Sequence, residues 1–290
     1  MNSIQVMAAD MKRQPDHLTS MPLPAPRDNT VFVGSGDSYA AALAAHYLSS
    51  GNAACYHPAD IISDPSLAKG RNVYFVSVSG KTQANVRAAK VAKSAGAHTT
   101  AITADPDSPL AKACDDISEL RFPSAGRTAG TISFAASALA CIHVTTQGRA
   151  GCPADLAAIY RRASRTASRL ARRAKTDSVI VLGDSHLFAA ALYGALKFNE
   201  VLGSRAVAYP LEEFFHAPLF GLQRGDQVLS LGKGIGLNID CKMPSKIDAF
   251  LYAVFVLQHL VLAAAKKKKL KECYFLANKK LLKASSDSIY

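Results

Sequence analysis

Apolar residues in this chain come in short runs that stop at glycine, serine or threonine. Each run is followed by a longer segment of alanines and spaced polar residues. Short β-branched and aromatic runs bounded by turn formers predict strands, and the longer segments predict helices. On this pattern, strands fall at 30–33, 54–57, 73–77, 99–103 and 117–121, with helices at 38–50, 83–95, 110–114 and 131–147. A break follows at 148–153. A helix at 154–174 leads into a second round: a strand at 178–182, a helix at 189–202, a strand at 206–209, a loop or helical turn at 211–216 and a strand at 227–231. Residues 244–271 read mostly as helix, and 276–290 follow no clear pattern. The repeated strand–helix order predicts an α/β fold with mainly parallel sheets covered by helices on both faces.

The two rounds echo each other. Val31-Phe-Val-Gly-Ser-Gly-Asp-Ser38 and Val179-Ile-Val-Leu-Gly-Asp-Ser185 are both apolar strands that end in a glycine/serine turn before an alanine-rich helix. This predicts two α/β units of similar topology. Ligands of such sheets bind beyond the carboxyl ends of the strands. One such end is chemically distinctive. Val73-Tyr-Phe-Val-Ser-Val-Ser-Gly-Lys-Thr82 is a strand, a hydroxyl-rich turn and a helix start in one window. Its hydroxyls and the free N–H groups of the first helical turn suit a phosphate. The competing reading makes Ser79 a plain helix cap and, in the earlier turn, Ser38 another. Gly34–Ser38 is not the G-x-G-x-x-G of dinucleotide enzymes, and Lys81 lacks P-loop spacing. Two such loops on consecutive strands favour a ligand site over simple capping.

Composition narrows the class. The chain has 290 residues and a 49% hydrophobic fraction, as in a globular protein of one large or two ordinary domains. No apolar run is expected to reach the ~18–20 residues of a membrane span. The longest, 249–265, contains Gln258 and His259. The polar first twenty residues do not read as a signal peptide, so the expected location is cytoplasmic, with no membrane partner. The six cysteines are scattered without metal-ligand spacing and read as buried thiols. No metal or other cofactor is expected. The net charge of +12 raises nucleic acid as a partner. The charge is concentrated in 161–175 and 266–271, without aromatic interleaving, and reads as solvated helix faces, so nucleic acid is not expected.

Several motifs in order resemble the double SIS (sugar isomerase) domain, most closely the isomerase half of the glutamine–fructose-6-phosphate aminotransferases. Gln14-Pro15 resembles the Gln-Pro of that subgroup's opening segment. Gly36-Asp-Ser-Tyr39 resembles its Gly-Thr-Ser-Tyr turn, and Ser77-Val-Ser-Gly-Lys-Thr82 its Ser-Gln-Ser-Gly-Glu-Thr loop. Gly194-Ala-Leu-Lys-Phe-Asn-Glu200 is similar to Gly-Ala-Leu-Lys-Leu-Lys-Glu, and His216-Ala-Pro-Leu219 to His-Gly-Pro-Leu. The resemblance spans roughly residues 8–225. It implies two SIS-type doubly wound domains, 22–150 holding the sugar phosphate and 151–290 carrying the C-terminal tail.

It further implies that Ser38, Ser77, Ser79 and Thr82 hold the phosphate, that Glu200 moves a proton between C1 and C2, and that His216 assists ring opening. Lys197 would be a supporting cation. Aldose–ketose chemistry asks for these types: a carboxylate base, an acid/base at the ring oxygen and a cation for the enediolate. Without the resemblance, Lys197–Glu200 would be an ordinary helix-surface pair. The implied activity is isomerisation or amino-sugar deamination of a hexose or hexosamine 6-phosphate, of the fructose 6-phosphate/glucosamine 6-phosphate class, by a homodimer. A non-catalytic sugar-phosphate-binding regulator is the alternative.

The chain departs from the pattern in places. Asn2 and the lack of a glutaminase domain exclude glutamine hydrolysis on this reading. Val78 and Lys81 replace the loop's Gln and Glu, and Tyr193 stands where the family has Glu. The family's Ala-Ser-Thr-Lys-Ala-Phe segment survives only as Thr131-Ile-Ser-Phe134, without its lysine. Lys283 is the best match to the family's Schiff-base lysine, with Lys279 and Lys280 competing.

Overall fold

The computed structural model describes residues 1–146 and 152–290. In chain order the elements are α1 (Ser3–Leu18), β1 (Thr30–Val33), α2 (Asp37–Leu48), β2 (Ala53–Tyr56), α3 (Pro58–Ser63), β3 (Asn72–Val76), α4 (Gln83–Ser94), β4 (His98–Thr103), α5 (Pro109–Ala113), β5 (Asp116–Glu119) and α6 (Ile132–Thr145). They continue with α7 (Leu156–Leu170), β6 (Ser178–Leu182), α8 (His186–Leu202), β7 (Arg205–Tyr209), α9 (Leu211–His216), β8 (Gln227–Leu231), β9 (Leu237–Ile239), α10 (Lys246–Lys267), α11 (Tyr274–Ala277) and α12 (Lys279–Ile289). The fold is α/β, with two parallel sheets flanked by helices.

The chain divides into two compact units. One comprises Ser20–Phe122, Ile132–Cys152 and Lys283–Tyr290 and holds the first sheet. The other comprises Met1–Thr19, Pro123–Thr131 and Pro153–Leu282 and holds the second. The boundary expected between 150 and 151 lies outside the described residues.

The first sheet runs in the order β2-β1-β3-β4-β5, all parallel. β1 and β3 are apolar after their first residues because both faces are covered, and the buried β4 carries Thr99, Thr100 and Thr103 among its residues. On one face Val31, Val33, Val73, Phe75 and Ala101 pack with Ile61, Ala88, Ala89, Ala92 and Leu110 from α3–α5. Alternation along each strand turns Phe32 and Tyr74 to the opposite face, their rings 5.6 Å apart. There α2 lies against the strands and α6 against α2. Burying a side chain such as Phe75 is worth about 1.5–3 kcal/mol.

The second sheet repeats the order with one strand fewer, β7-β6-β8-β9, again parallel. Helix α8 packs on β6 and β7, and α10 packs on α7 and α8. Gly194 makes this approach close: a Cβ there would lie 2.6 Å from Leu257 Cδ1. On the other face Leu182, Phe214 and Val228 form a small cluster. In α7 the residues Leu156, Ile159, Ala163 and Ala167 are buried at helical spacing, which leaves its arginines outside.

Several sequence expectations shift. Helix α1 was not anticipated, although Asn2 and Gln5 close a capping box around its first turn at 2.9 Å in both directions. Helix α3 and the three-residue β9 were also missed, and the tail is helical. Helix α2 starts at Asp37 with Gly36 before it, so Ser38 is not a cap. The expectation that no apolar segment reaches membrane-span length is corrected. Helix α10, 22 residues, is long and apolar enough, but 78% of its most apolar stretch is buried within the protein.

Candidate functional site

In the first-sheet unit the chain passes from β1 out to β2 and returns to the other side of β1 as β3. The carboxyl ends of β1 and β3 therefore flank the point where the winding direction reverses, where open α/β sheets bind ligands. Both hydroxyl-bearing loops leave from these two ends. The turn after β1 is shaped by glycine. A Cβ on Gly34 would lie 2.8 Å from the Ser38 carbonyl carbon, and Gly36 has φ 56° and ψ −125°. Ser38 follows, half-buried, in the first turn of α2.

The loop after β3 is tied down from several sides. The Ser77 N–H donates to the Ile102 carbonyl at 3.0 Å, and Ser77 Oγ accepts from the Gly80 N–H at 3.2 Å. Ser79 Oγ accepts from the Lys81 N–H at 3.3 Å. Gly80 has φ +61°, and a Cβ there would lie 2.1 Å from Ser108 Oγ. The Leu110 N–H donates to the Gly80 carbonyl at 3.0 Å. Thr82, not Ser79, occupies the N-cap of α4, and no side chain caps that helix. The competing reading of Ser79 as a helix cap is thus corrected. The loop presents Ser77, Ser79 and Thr82 beside a helix start whose N-cap residue makes no side-chain capping hydrogen bond.

Helix α4 is anchored there by the buried Asn85, whose Nδ2 donates to the Val76 carbonyl at 3.2 Å. The C-terminal end of α12 reaches the same place, since Gln83 Nε2 donates to the Tyr290 main-chain carbonyl. Lys283 sits on this helix with its side chain exposed, as do Lys279 and Lys280. A separate cleft of about 540 Å³, lined by Arg27, Tyr74, Thr100 and Asp116, lies at the β4–β5 edge and contains none of the predicted residues.

In the second-sheet unit, Lys197 is 0% exposed and its Nζ lies 2.5 Å from Glu200 Oε2, while the Glu200 side chain is 38% exposed. A buried ammonium needs such a partner, because desolvating an unpaired charge is costly. The pair lies three residues apart on one face of α8. Lys197 Nζ also lies 5.2 Å from the centre of the Tyr193 ring.

The Tyr193 hydroxyl donates to the Gly130 carbonyl at 2.8 Å and accepts from Gln258 Nε2 at 3.0 Å. Gln14 Nε2 donates to Gln258 Oε1 at 2.8 Å and to the Met11 carbonyl at 3.3 Å. Pro15, having no N–H, leaves the Met11 carbonyl without its usual helical partner, which explains the Gln-Pro pair locally. His216 ends α9, exposed and next to the exposed Phe215, with Phe220 exposed nearby.

The structure thus brings Ser38 to the same sheet edge as Ser77, Ser79 and Thr82, and it pairs Lys197 with Glu200. Sequence reading missed Gln258 and the use of Tyr193 as a hydrogen-bonded anchor. It also missed how closely the turns after β1 and β6 agree. Gly183 repeats the close approach of Gly34, and Ser185 at φ 53° and ψ −130° repeats the backbone of Gly36. A side chain is rarely found there, so matching glycines would not have revealed the repeat.

Comparison with known proteins bears on the fold. Residues 25–143 match the SIS domain family. Glucosamine-6-phosphate deaminase from Thermotoga maritima superposes with a TM-score of 0.74 at 18% identity, over 93% of this chain and 94% of that one. The C-terminal domain of glucosamine-fructose-6-phosphate aminotransferase from Francisella tularensis gives 0.70 at 17% identity, over 92% and 98%. Tagatose-6-phosphate ketose/aldose isomerase from Escherichia coli gives 0.67 at 15%, over 93% and 90%. No curated protein matches the chain significantly in sequence. Residues 25–143 are therefore a SIS domain, and the chain shares its fold with these solved structures.

Proposed function

We propose that the protein is a phosphosugar isomerase acting on a hexose or hexosamine 6-phosphate, with 151–290 forming a second SIS domain in addition to 22–150. The observation that carries this reading is the Ser77–Thr82 loop at the sheet's switch point, beside a helix N-terminus where the N-cap Thr82 makes no side-chain capping hydrogen bond. Ser38, Ser77, Ser79 and Thr82 hold the phosphate with hydroxyls and backbone N–H groups. Glu200, solvent-accessible on one side and held by Lys197 on the other, moves the proton between C1 and C2. Lys197 offsets the negative charge of the enediolate, His216 assists ring opening, and Lys283 is the candidate amine for Schiff-base chemistry. Two features support the second domain: the repeated strand order and the matched turns after β1 and β6.

The working form is a cytoplasmic homodimer with a small-molecule substrate, no required cofactor and no nucleic-acid or membrane partner. A calorimetric panel of fructose 6-phosphate, glucosamine 6-phosphate and related hexose phosphates tests the site. Ser79→Ala and Thr82→Ala each weaken binding; unchanged affinity in both removes the phosphate assignment. A second reading, a sugar-phosphate-binding regulator without turnover, draws on Tyr193, whose hydroxyl is engaged in structural hydrogen bonds where the family has a carboxylate. It predicts binding with no proton exchange in any sugar of the panel.

A further inference from the structure

We propose that Tyr193 is a positioning residue for the Lys197–Glu200 pair, acting through the face of its ring and not through its hydroxyl; the proposal rests on the isomerase reading of Glu200. Tyr193 precedes Lys197 by one helical turn on α8, so the two side chains share a face. Both are fully buried. The ammonium lies within cation–π range of the ring, at 5.2 Å from its centre. A phenol has one proton, and here it goes to the Gly130 carbonyl, while the oxygen accepts from Gln258. The hydroxyl is therefore engaged at both ends of its hydrogen-bonding capacity that matter for acid–base work, and the ring face is what remains for Lys197.

The ring is held from three parts of the second-sheet unit: the Gly130 backbone, α10 through Gln258, and α1 through Gln14. The two glutamines are bonded to each other across 244 positions of sequence. The Gln14 amide also meets the Met11 carbonyl released by Pro15, which fixes its orientation. The Gln-Pro motif thus fixes Gln14, Gln14 fixes Gln258, and Gln258 fixes Tyr193. The ring then limits where the Lys197 ammonium can sit, and the ammonium holds one oxygen of a carboxylate that is otherwise partly open to solvent. A base that must reach two adjacent carbons in turn gains from such restriction, because small misplacements of a reacting group are costly in rate.

The test compares Tyr193→Phe, Tyr193→Leu and the wild type in two assays. The first follows exchange of the C2 proton of a hexose 6-phosphate in D2O by NMR and separates kcat from KM. Phe keeps the ring but gives up the hydroxyl's hold on Gly130 and Gln258, so kcat should fall by no more than about tenfold; Leu loses the ring as well, so kcat should fall at least about thirtyfold with KM within about twofold. A Phe variant as impaired as Leu would assign the work to the hydroxyl, and a fully active Leu variant would deny any role; either overturns the proposal. Should Leu fail to fold, Tyr193→Met carries the same comparison.

The second assay needs no turnover. It is a double-mutant cycle of Tyr193→Leu with Lys197→Met, read as urea unfolding midpoints. The two shifts should be non-additive; additive shifts mean that ring and ammonium do not interact, and overturn the proposal. If the wild type exchanges no proton with any hexose phosphate, the isomerase reading falls and the catalytic sense of the positioning falls with it. A non-additive cycle would then still establish the Tyr193–Lys197 contact, so the two failures are distinguishable.

Discussion

Gly80→Ala puts the Ser77–Thr82 loop under the most direct mechanical test. Gly80 has φ +61°, and a Cβ added there would lie 2.1 Å from Ser108 Oγ and 2.4 Å from Ser108 Cβ. An alanine in the left-handed region costs about 1–2 kcal/mol. Forcing Ser108 aside adds about 1–3 kcal/mol of overpacking. Ser108 cannot yield freely, because its Oγ caps α5 by accepting from the Ala111 N–H at 3.3 Å. The expected loss is about 2–5 kcal/mol, or a drop of about 0.7–1.7 M in the urea midpoint at an m-value of about 3 kcal/mol/M. Far-UV circular dichroism and tyrosine fluorescence report it, since the chain has no tryptophan. Gly70→Ala is the internal control. Gly70 has φ +67° but nothing within 4 Å of an added Cβ, so only the backbone cost applies. Gly80→Ala should also lose sugar-phosphate affinity, because the Ser77 and Ser79 oxygens are oriented by the Gly80 and Lys81 N–H groups. A Gly80→Ala midpoint no lower than that of Gly70→Ala would refute the packing argument.

Other consequences follow from single residues. Burial pushes the His259 imidazole down to about 4, and its buried Nε2 has no hydrogen-bond partner among the described residues, beside the Tyr160 ring. The unfolded chain then binds more protons than the folded one between about pH 6.5 and pH 4. Stability should fall by about 3 kcal/mol as pH drops through that window, and His259→Leu should flatten the fall; an identical pH slope in both proteins would count against it. Ser185→Gly should stabilise the protein by about 1 kcal/mol by relieving a positive φ on a residue with a side chain, and a lower melting temperature would contradict this. Gly194→Ala should cost about 1–3 kcal/mol by pushing on Leu257. Leu257→Ala in the same chain should recover part of that cost; strictly additive losses would show that the two do not meet.

The fold was legible where local pattern and burial agree. The inner strands β1, β3, β6 and β8 are largely buried, so they stand out as apolar runs, and the alanine-rich helices follow from spacing. Legibility failed where structure rests on few residues or on distant ones. Strand β9 is three residues long, with Asn238 at its centre, too short for a pattern. In α1 the interior Pro15 masks a helix that its capping box and the Gln14 side chain make tolerable. The hydroxyl loop could be read because strand, turn and helix start are contiguous. The Gln14–Gln258–Tyr193 network could not, because no local signal links those positions. The repeat of the β1 turn after β6 was only half visible, since Ser185 adopts a backbone that composition assigns to glycine.

Proton transfer by Glu200 on a bound sugar phosphate is the proposed chemistry of this protein. The most direct measurement is hydrogen–deuterium exchange at C1 and C2 of fructose 6-phosphate and its aldose partners in D2O, followed by NMR with wild-type protein and Glu200→Gln, with affinities measured in parallel. The account predicts exchange by the wild type, and for Glu200→Gln an unchanged affinity with exchange reduced to background. Binding without exchange by the wild type, or exchange at the wild-type rate by Glu200→Gln, would contradict it.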